Sequence, residues 1–517
     1  MISRISNYFP TNQIFSYIDN YSKKNIVCTI VAVALLALCT YKIGYPAVRN
    51  LFNPRHQIMT DQPHNPIHNT FSNLIGISND NAVPLRLNEI NPISFEELVA
   101  NTAAFEKHTV IPTQQNRIEY LVDQGIADQA TIVRHANSVR PIIHHKTMLL
   151  IEAFLDQKRS TGNRVEKELY RGMDKTAFID RLLTKRPLAF LTSSDSYLLK
   201  NQIRGNGGFE GIGKEHELPP LCLQNYLSYD EMAISALIGV SCPTYFINEG
   251  DRNNQGIFSH AGHQEMGIYV GLVGARFEKQ NLMDWQHMII TPVQNTLDNG
   301  YGTNSNPFLN IWSNFYGHPF PTYEEALSGD PARVLLVGHE TYLNIPVYKE
   351  RLRRVVEPFL EEANQRAGAE GKKAYVHAVG IGLGVWQISP KQKEYMLEVY
   401  AEILNSRPLP HIADIDFSYF NAMQCGGVGD LEKICTTENE ITVHFSNRNP
   451  AEKLSSDQKL LVASYAWDGN TFPGNEYWMG SLSASGDPAA ACCSTIPQLQ
   501  NPLINTTLTA KKLCVVS

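Results

Sequence analysis

Four acid or amide side chains crowd into the nine residues that open the segment DGNTFPGNEYW (468–478): Asp468, Asn470, Asn475 and Glu476. Two glycines and a proline give the segment the composition of a rigid turn, and it directly follows the apolar run LLVASYAW (460–467). Carboxylates presented in this way can orient a water, polarise a hydroxyl or stabilise a developing oxocarbenium ion. Asp487, in SASGDPAAACC, is expected to return to the same face. The plainer alternative is a hydrogen-bonded Asx turn beside a solvent-exposed glutamate.

Two other segments suit a polar, anionic ligand. In GIGLGVW (380–386) the glycines Gly380, Gly382 and Gly384, followed by Val385, stand between a strand and a helix. Backbone N–H groups and the positive end of a helix dipole there would hold phosphate. The third glycine of a dinucleotide fingerprint would fall at Gln387, and no GKS or GKT follows, which disfavours a Rossmann site and a P-loop. In SNRNP (446–450), Asn447 and Asn449 bring amides that donate and accept at once, as ribose hydroxyls require. An Asn-Pro turn would use the same residues structurally. His260 and His263 flank a glycine without a third ligand nearby, so no metal site is expected, and no GxSxG is present.

The elements that must position these loops alternate in type. Strands are expected at 332–338, 374–381, 412–420, 441–446 and 460–467, with another at 267–277 and one that runs into an Asn- and Gly-rich loop within 242–256. A helix is expected from about Val347 to Ala367, and a second opens at Ser389-Pro390 and carries the stripe Tyr395, Met396, Val399, Tyr400, Ile403 and Leu404. Strands alternating with helices imply a mostly parallel, helix-covered sheet whose ligands gather beyond the carboxyl ends of the strands. Residues 93–160 read as helical, including IIHHKTMLLIEAFL (142–155) with its apolar positions at helical spacing.

The chain has 517 residues, 43% hydrophobic and 18% charged, with a net charge of −7, which argues against a surface that coats nucleic acid. Nine scattered cysteines without CxxC pairs favour a reducing, cytosolic compartment for the folded part. After a polar segment (1–24), the uncharged run at 25–41, extended to residue 45 and bracketed by Lys23, Lys24 and Lys42, reads as a single transmembrane anchor. A signal peptide and a buried helix are the alternatives. An Asn-, Pro- and His-rich linker (46–92) would then lift the rest from the membrane. Neither the orientation of the anchor nor the oligomeric state follows from these residues.

The series ITVHFSNRNP followed by an acidic PGNE turn resembles the macrodomain fold of poly(ADP-ribose) glycohydrolases. ELYRGM, KRPLAFLTSSDSYLL, YLSYDEMAISALIGVSCPTYFINEGDRNNQG, YVGLVGARFE, VHAVGIGLGVW and SYAWDGNTFPGNEYW resemble the MavL-like effector family more closely, over about residues 168–500 of a domain expected to span 168–517. The resemblance implies a macrodomain-like α/β fold, with a mixed sheet covered by helices. It also implies an activity: removal of ADP-ribose from modified proteins such as ubiquitin, with no cofactor and, if effector-like, after secretion into a host cell. By resemblance, Asp468, Glu476 and Asp487 match the hydrolytic acids, Asn447 and Asn449 a distal-ribose loop, and Gly382 to Val385 a pyrophosphate loop. The GGG-x-QEE signature of the glycohydrolases is absent, and Glu476 stands without a paired glutamate. A catalytically silent ADP-ribose reader at a membrane is the alternative function.

Overall fold

In the computed structural model, residues 91–517 are described, apart from 437 and 484–485, and they fall within one compact unit, Val83–Ser517. Nine strands build its main sheet: β1 (Arg140–His144), β2 (Ile238–Tyr245), β3 (Met266–Leu272), β4 (Lys373–Ala378), β5 (Ile412–Ser418), β6 (Lys433–Cys435), β7 (Glu440–Ser446), β8 (Lys459–Ala466) and β9 (Cys514–Val516). Their spatial order is β6-β7-β5-β4-β8-β3-β2-β1-β9. From β7 to β3 every pairing is parallel, whereas β2 runs antiparallel to both β3 and β1. The sheet is therefore mixed, with a parallel centre.

Sequence explains that centre. In β8 the six residues Leu460–Tyr465 are buried without alternation, as they must be when both faces of a strand are covered. Two long helices contribute cover: α2 (Ile345–Ala369) and α3 (Lys391–Ser406), named after α1 (His145–Thr161). Asn344 caps α2 at the Val347 N–H (3.4 Å), with Pro346 in its first turn. The α3 stripe lies inward, with Met396, Val399, Tyr400, Ile403 and Leu404 all buried. This helix begins one residue later than its Ser389-Pro390 signal. Pro390 is the cap residue, and Gln392 Oε1 reaches back to the Ile388 and Ser389 N–H groups (2.7 and 3.0 Å).

Three expectations are corrected. The run at 142–155 is not one helix, because Pro141, Ile142 and Ile143 form β1 and the helix starts at His145. Proline and β-branched residues favour the extended form, and a strand joined directly to a helix merges into one apolar pattern. The strand Val334–Gly338 does form, but it pairs with Thr341–Asn344 in a separate small antiparallel sheet rather than in the main one. The third correction concerns the membrane. Among the described residues no helix is long and apolar enough to cross one, and the run at 25–45 lies outside them, with the segment 1–24 and all but two residues of the linker 46–92. The transmembrane helix in the expected fold, the membrane as partner and the single-pass anchored localisation are accordingly not retained.

Candidate active site

Because β7, β5, β4, β8 and β3 are parallel, the loops that follow them emerge at one edge of the sheet. Ala466 at the end of β8 pairs with Leu272 at the end of β3, and the Trp467 N–H continues the ladder to the Leu272 carbonyl (2.8 Å). Asp468 thus leaves the sheet beside the segment Val273–Lys279. That neighbouring segment is held from below by Arg351 of α2, fully buried, which donates to the carbonyls of Val273 (3.2 Å) and Gly274 (3.3 Å) and pairs with Asp284 (3.2 Å).

The turn after β8 is gripped on several sides. Arg276 Nη2 donates to the Asp468 carbonyl, while its guanidinium stacks 4.7 Å from the Trp386 ring. Ser235 Oγ donates to the Gly469 carbonyl (2.6 Å) and accepts from the buried Arg186 (2.9 Å). Gly469 has φ +68°, and a Cβ there would meet Val273 at 2.7 Å, so glycine is required. Asn475, itself at φ +30°, accepts from the Phe190 N–H (2.9 Å) and donates through Nδ2 to Asp468 Oδ2. Asn475 therefore fixes the carboxylate of Asp468, and protein groups occupy its amide.

Asp487 stands in the first turn of α4 (Gly486–Cys493), and its Oδ1 accepts from the Gly474 N–H (2.6 Å). Its Oδ2 is buried without a partner. Of the three sequence-predicted acids, Glu476 lies close enough to act on both others, and Asp468 acts on Asp487. Burial pushes Asp468 up to about 7, against the pull of Arg276 and with further raising by Glu476 and Glu278. Burial first, then Asp468 and Glu476, holds Asp487 well above the usual carboxylate range. Glu476, half-buried, is raised by burial and by Glu278. A carboxyl near 7 is present in both protonation states at neutral pH, as proton transfer requires. Asn470 is 1% exposed with both ends of its amide unpartnered.

The glycine loop follows β4, next to β8. Gly382 (φ +69°) lies backbone to backbone against Gly274: a Cβ on Gly274 would be 2.3 Å from the Gly382 nitrogen. Gly380 packs against Leu383, whereas Gly384 faces open space and Val385 is exposed. The loop after β7 stands apart from the acids, because β5 and β4 intervene. Asn447 is exposed. Asn449 accepts from the Tyr419 hydroxyl (2.9 Å) and donates weakly to Glu249 (3.4 Å). The backbone between them is pinned, since the Arg448 carbonyl accepts from Ser418 Oγ (2.6 Å) and faces His377 Nε2 (3.1 Å).

Sequence reasoning missed Arg276 and Glu278. The rule that ligands gather beyond strand ends would have found Arg276, had β3 been ended at Leu272 rather than carried to 277, and it already pointed at Glu278, the residue after that run. A cleft of about 480 Å³ lined by Gly267, Ile268 and Leu460 opens where β3 and β8 begin, away from the acids. Among the described residues no group of three or more His, Cys, Asp or Glu side chains is placed to hold a metal ion.

The class of the fold is a helix-covered mixed α/β sheet with buried carboxyls beyond the carboxyl ends of its parallel strands. Residues 100–517 match the family described as ADP-ribosylhydrolase MavL-like. Two curated proteins of Drosophila melanogaster are similar over most of the chain. The ADP-ribosylarginine hydrolase CG2909 is 36% identical over 401 residues, 73% of this chain and 78% of its own length. The ADP-ribosylarginine hydrolase CG3568 is 38% identical over 386 residues, 71% of this chain and 76% of its own. The chain belongs to the MavL-like ADP-ribosylhydrolase family, as its motifs implied, and is a hydrolase acting on ADP-ribose linkages.

Proposed function

We propose that the acidic turn at 468–476 cleaves the N-glycosidic bond joining ADP-ribose to an arginine side chain of a modified protein. The observation that carries this reading is the Asp468 carboxyl held near 7 beside Glu476 and Asp487. The arginine linkage is supported by the names of the two Drosophila relatives.

In this mechanism Glu476 accepts a proton from a water that attacks the anomeric carbon of the ribose. The C–O bond forms as the bond to the arginine nitrogen breaks, through an oxocarbenium-like state that the carboxylates stabilise. Asp468, protonated, gives its proton to the departing nitrogen, and the products are ADP-ribose and an unmodified guanidinium. Asp487 keeps its proton on Oδ2 and holds the turn through the Gly474 N–H. The N–H groups from Gly380 to Val385, with Gly384 open to close approach, take the pyrophosphate. Asn470 offers its unpartnered amide to a hydroxyl of the ribose whose bond is cut, and Asn447 and Asn449, with two strands between them and the acids, are left without a part in holding that ribose.

The test is a panel of Arg-, Ser- and Glu-linked mono-ADP-ribosylated proteins incubated with the full chain, arginine-modified ubiquitin among them as one candidate carrier. Release of ADP-ribose from the arginine-linked members is expected. Release from serine- or glutamate-linked members alone would overturn the assignment of the bond.

A further inference from the structure

The segment Arg186–Phe190 runs alongside the acidic turn and touches it at each end. Arg186 stacks its guanidinium 4.5 Å from the ring of Trp467, and its Nη2 donates to Ser235 Oγ (2.9 Å). Ser235 Oγ in turn donates to the Gly469 carbonyl (2.6 Å). Further along, the Pro187 carbonyl accepts from the Phe472 N–H (3.2 Å), and the Phe190 N–H donates to Asn475 (2.9 Å). One side chain, Arg186, therefore engages the residue before Asp468 directly and the residue after it through a single hydroxyl. Arg276 takes the carbonyl of Asp468 itself.

Arg186 is also a cation the fold does not answer. It is 2% exposed, its Nε has no hydrogen-bond partner, and among the described residues no carboxylate pairs with it. The comparably buried Arg181 and Arg351 each have one, Glu231 at 2.6 Å and Asp284 at 3.2 Å. Burial pulls Arg186 down to about 9, which leaves it charged at neutral pH. An unpaired cation taken out of water weakens a fold, and an apolar side chain of similar length would pack there more favourably. Packing alone gives no account of an arginine at this position.

We propose that Arg186 is a positioning residue for the hydrolysis: by holding Trp467 and, through Ser235, Gly469, it fixes the backbone on both sides of Asp468 and so aims that carboxyl. A planar guanidinium can lie on an indole face and donate in its own plane at the same time, which joins the two contacts in one rigid group. This rests on the reading of the acidic turn as the hydrolytic device. It leaves proton transfer to Asp468 and Glu476 and gives Arg186 no contact with the ligand.

The experiment compares full-length wild type, Arg186→Met, Ser235→Ala and the double variant, each checked for folding by circular dichroism. Turnover of an arginine-linked ADP-ribosylated peptide gives kcat and KM, and calorimetry gives the affinity for ADP-ribose. Arg186→Met is expected to lower kcat about 10- to 100-fold, with KM and ADP-ribose affinity held within about twofold. Ser235→Ala should lose activity in the same way. The double variant should fall no more than about threefold below the worse single one, because both residues act through the Gly469 carbonyl. An unchanged kcat in Arg186→Met would overturn the proposal while leaving the hydrolytic reading intact. So would an equal loss of ADP-ribose affinity, because the residue would then be shaping the pocket, and so would losses that multiply in the double variant. If Arg186→Met does not fold, Ser235→Ala decides, and an unchanged kcat there overturns the proposal. If wild type releases nothing from the peptide, the reading of the acidic turn falls and this assignment with it.

Discussion

Replacing Asp468 by asparagine separates the cost of burying this carboxyl from the chemistry it performs. Folding carries it from an ordinary 3.8 to about 7, chiefly through burial. For an acid whose folded value lies above its unfolded one, the folded chain binds the proton more tightly, so stability is lost as pH rises. The penalty is absent below the unfolded value, grows through the interval and is complete above about 7. About three units at roughly 1.4 kcal/mol each give a penalty of about 4 kcal/mol at pH 8, under about 2 kcal/mol at pH 5 and well under about 1 kcal/mol at pH 4. Asparagine avoids it at every pH, and its side-chain oxygen still accepts from Asn475. With an unfolding entropy of about 2.1 cal/mol/K per residue over roughly 430 residues, 4 kcal/mol corresponds to about 4 °C. Thermal melts of wild type and Asp468→Asn at pH 4, 5 and 8 should show the variant melting about 4 °C higher at pH 8, with the gap closing toward pH 4, while turnover is lost. A gap that does not change with pH, or a variant that melts lower at pH 8, would refute the claim that Asp468 is buried with a raised affinity for its proton.

Turnover of arginine-linked substrate should decline as pH rises through about 7, because Asp468 then loses the proton it donates; a pH–rate profile flat to pH 9 would contradict that role. Asn475→Ala should lower kcat about 10- to 100-fold with KM little changed, since it frees the Asp468 carboxylate without touching the ligand loops; steady-state kinetics read the split. Gly274→Ala should destabilise the fold by more than about 2 kcal/mol, because its Cβ would fall 2.3 Å from the Gly382 nitrogen in a backbone contact that cannot yield. Gly384→Ala, with nothing within 4 Å, should leave the melting temperature unchanged while weakening ADP-ribose binding in calorimetry.

The parallel centre of the sheet was legible because its strands are continuous apolar runs. Leu460–Tyr465 can be buried on both faces only in such a sheet, and that made the residues after it worth naming. Asp468, Glu476 and Asp487 followed from position, and burial raises all three above the usual carboxylate range. What fixes their geometry was not legible. Asn475 holds Asp468 through a partner at Phe190, 285 residues away in the chain, and no local pattern announces such a contact. Arg276 was hidden inside the run GIYVGLVGARF, which continues past the true strand end at Leu272 because Val273–Phe277 is a buried loop held by Arg351. The strand β1 was lost inside a helical pattern because strand and helix abut at His144 and His145. The Asn447 and Asn449 loop was placed at the right edge of the sheet, yet two strands from the acids, a distance set by strand order alone.

Single-turnover release of ADP-ribose from an arginine-linked peptide, by wild type and by Glu476→Gln, bears most directly on the acidic turn as the hydrolytic device. Calorimetry on the same samples reports whether the ligand still binds. Release slowed by about 100-fold or more, with ADP-ribose affinity retained, is the result expected of a lost general base. Release by Glu476→Gln at the wild-type rate would contradict it.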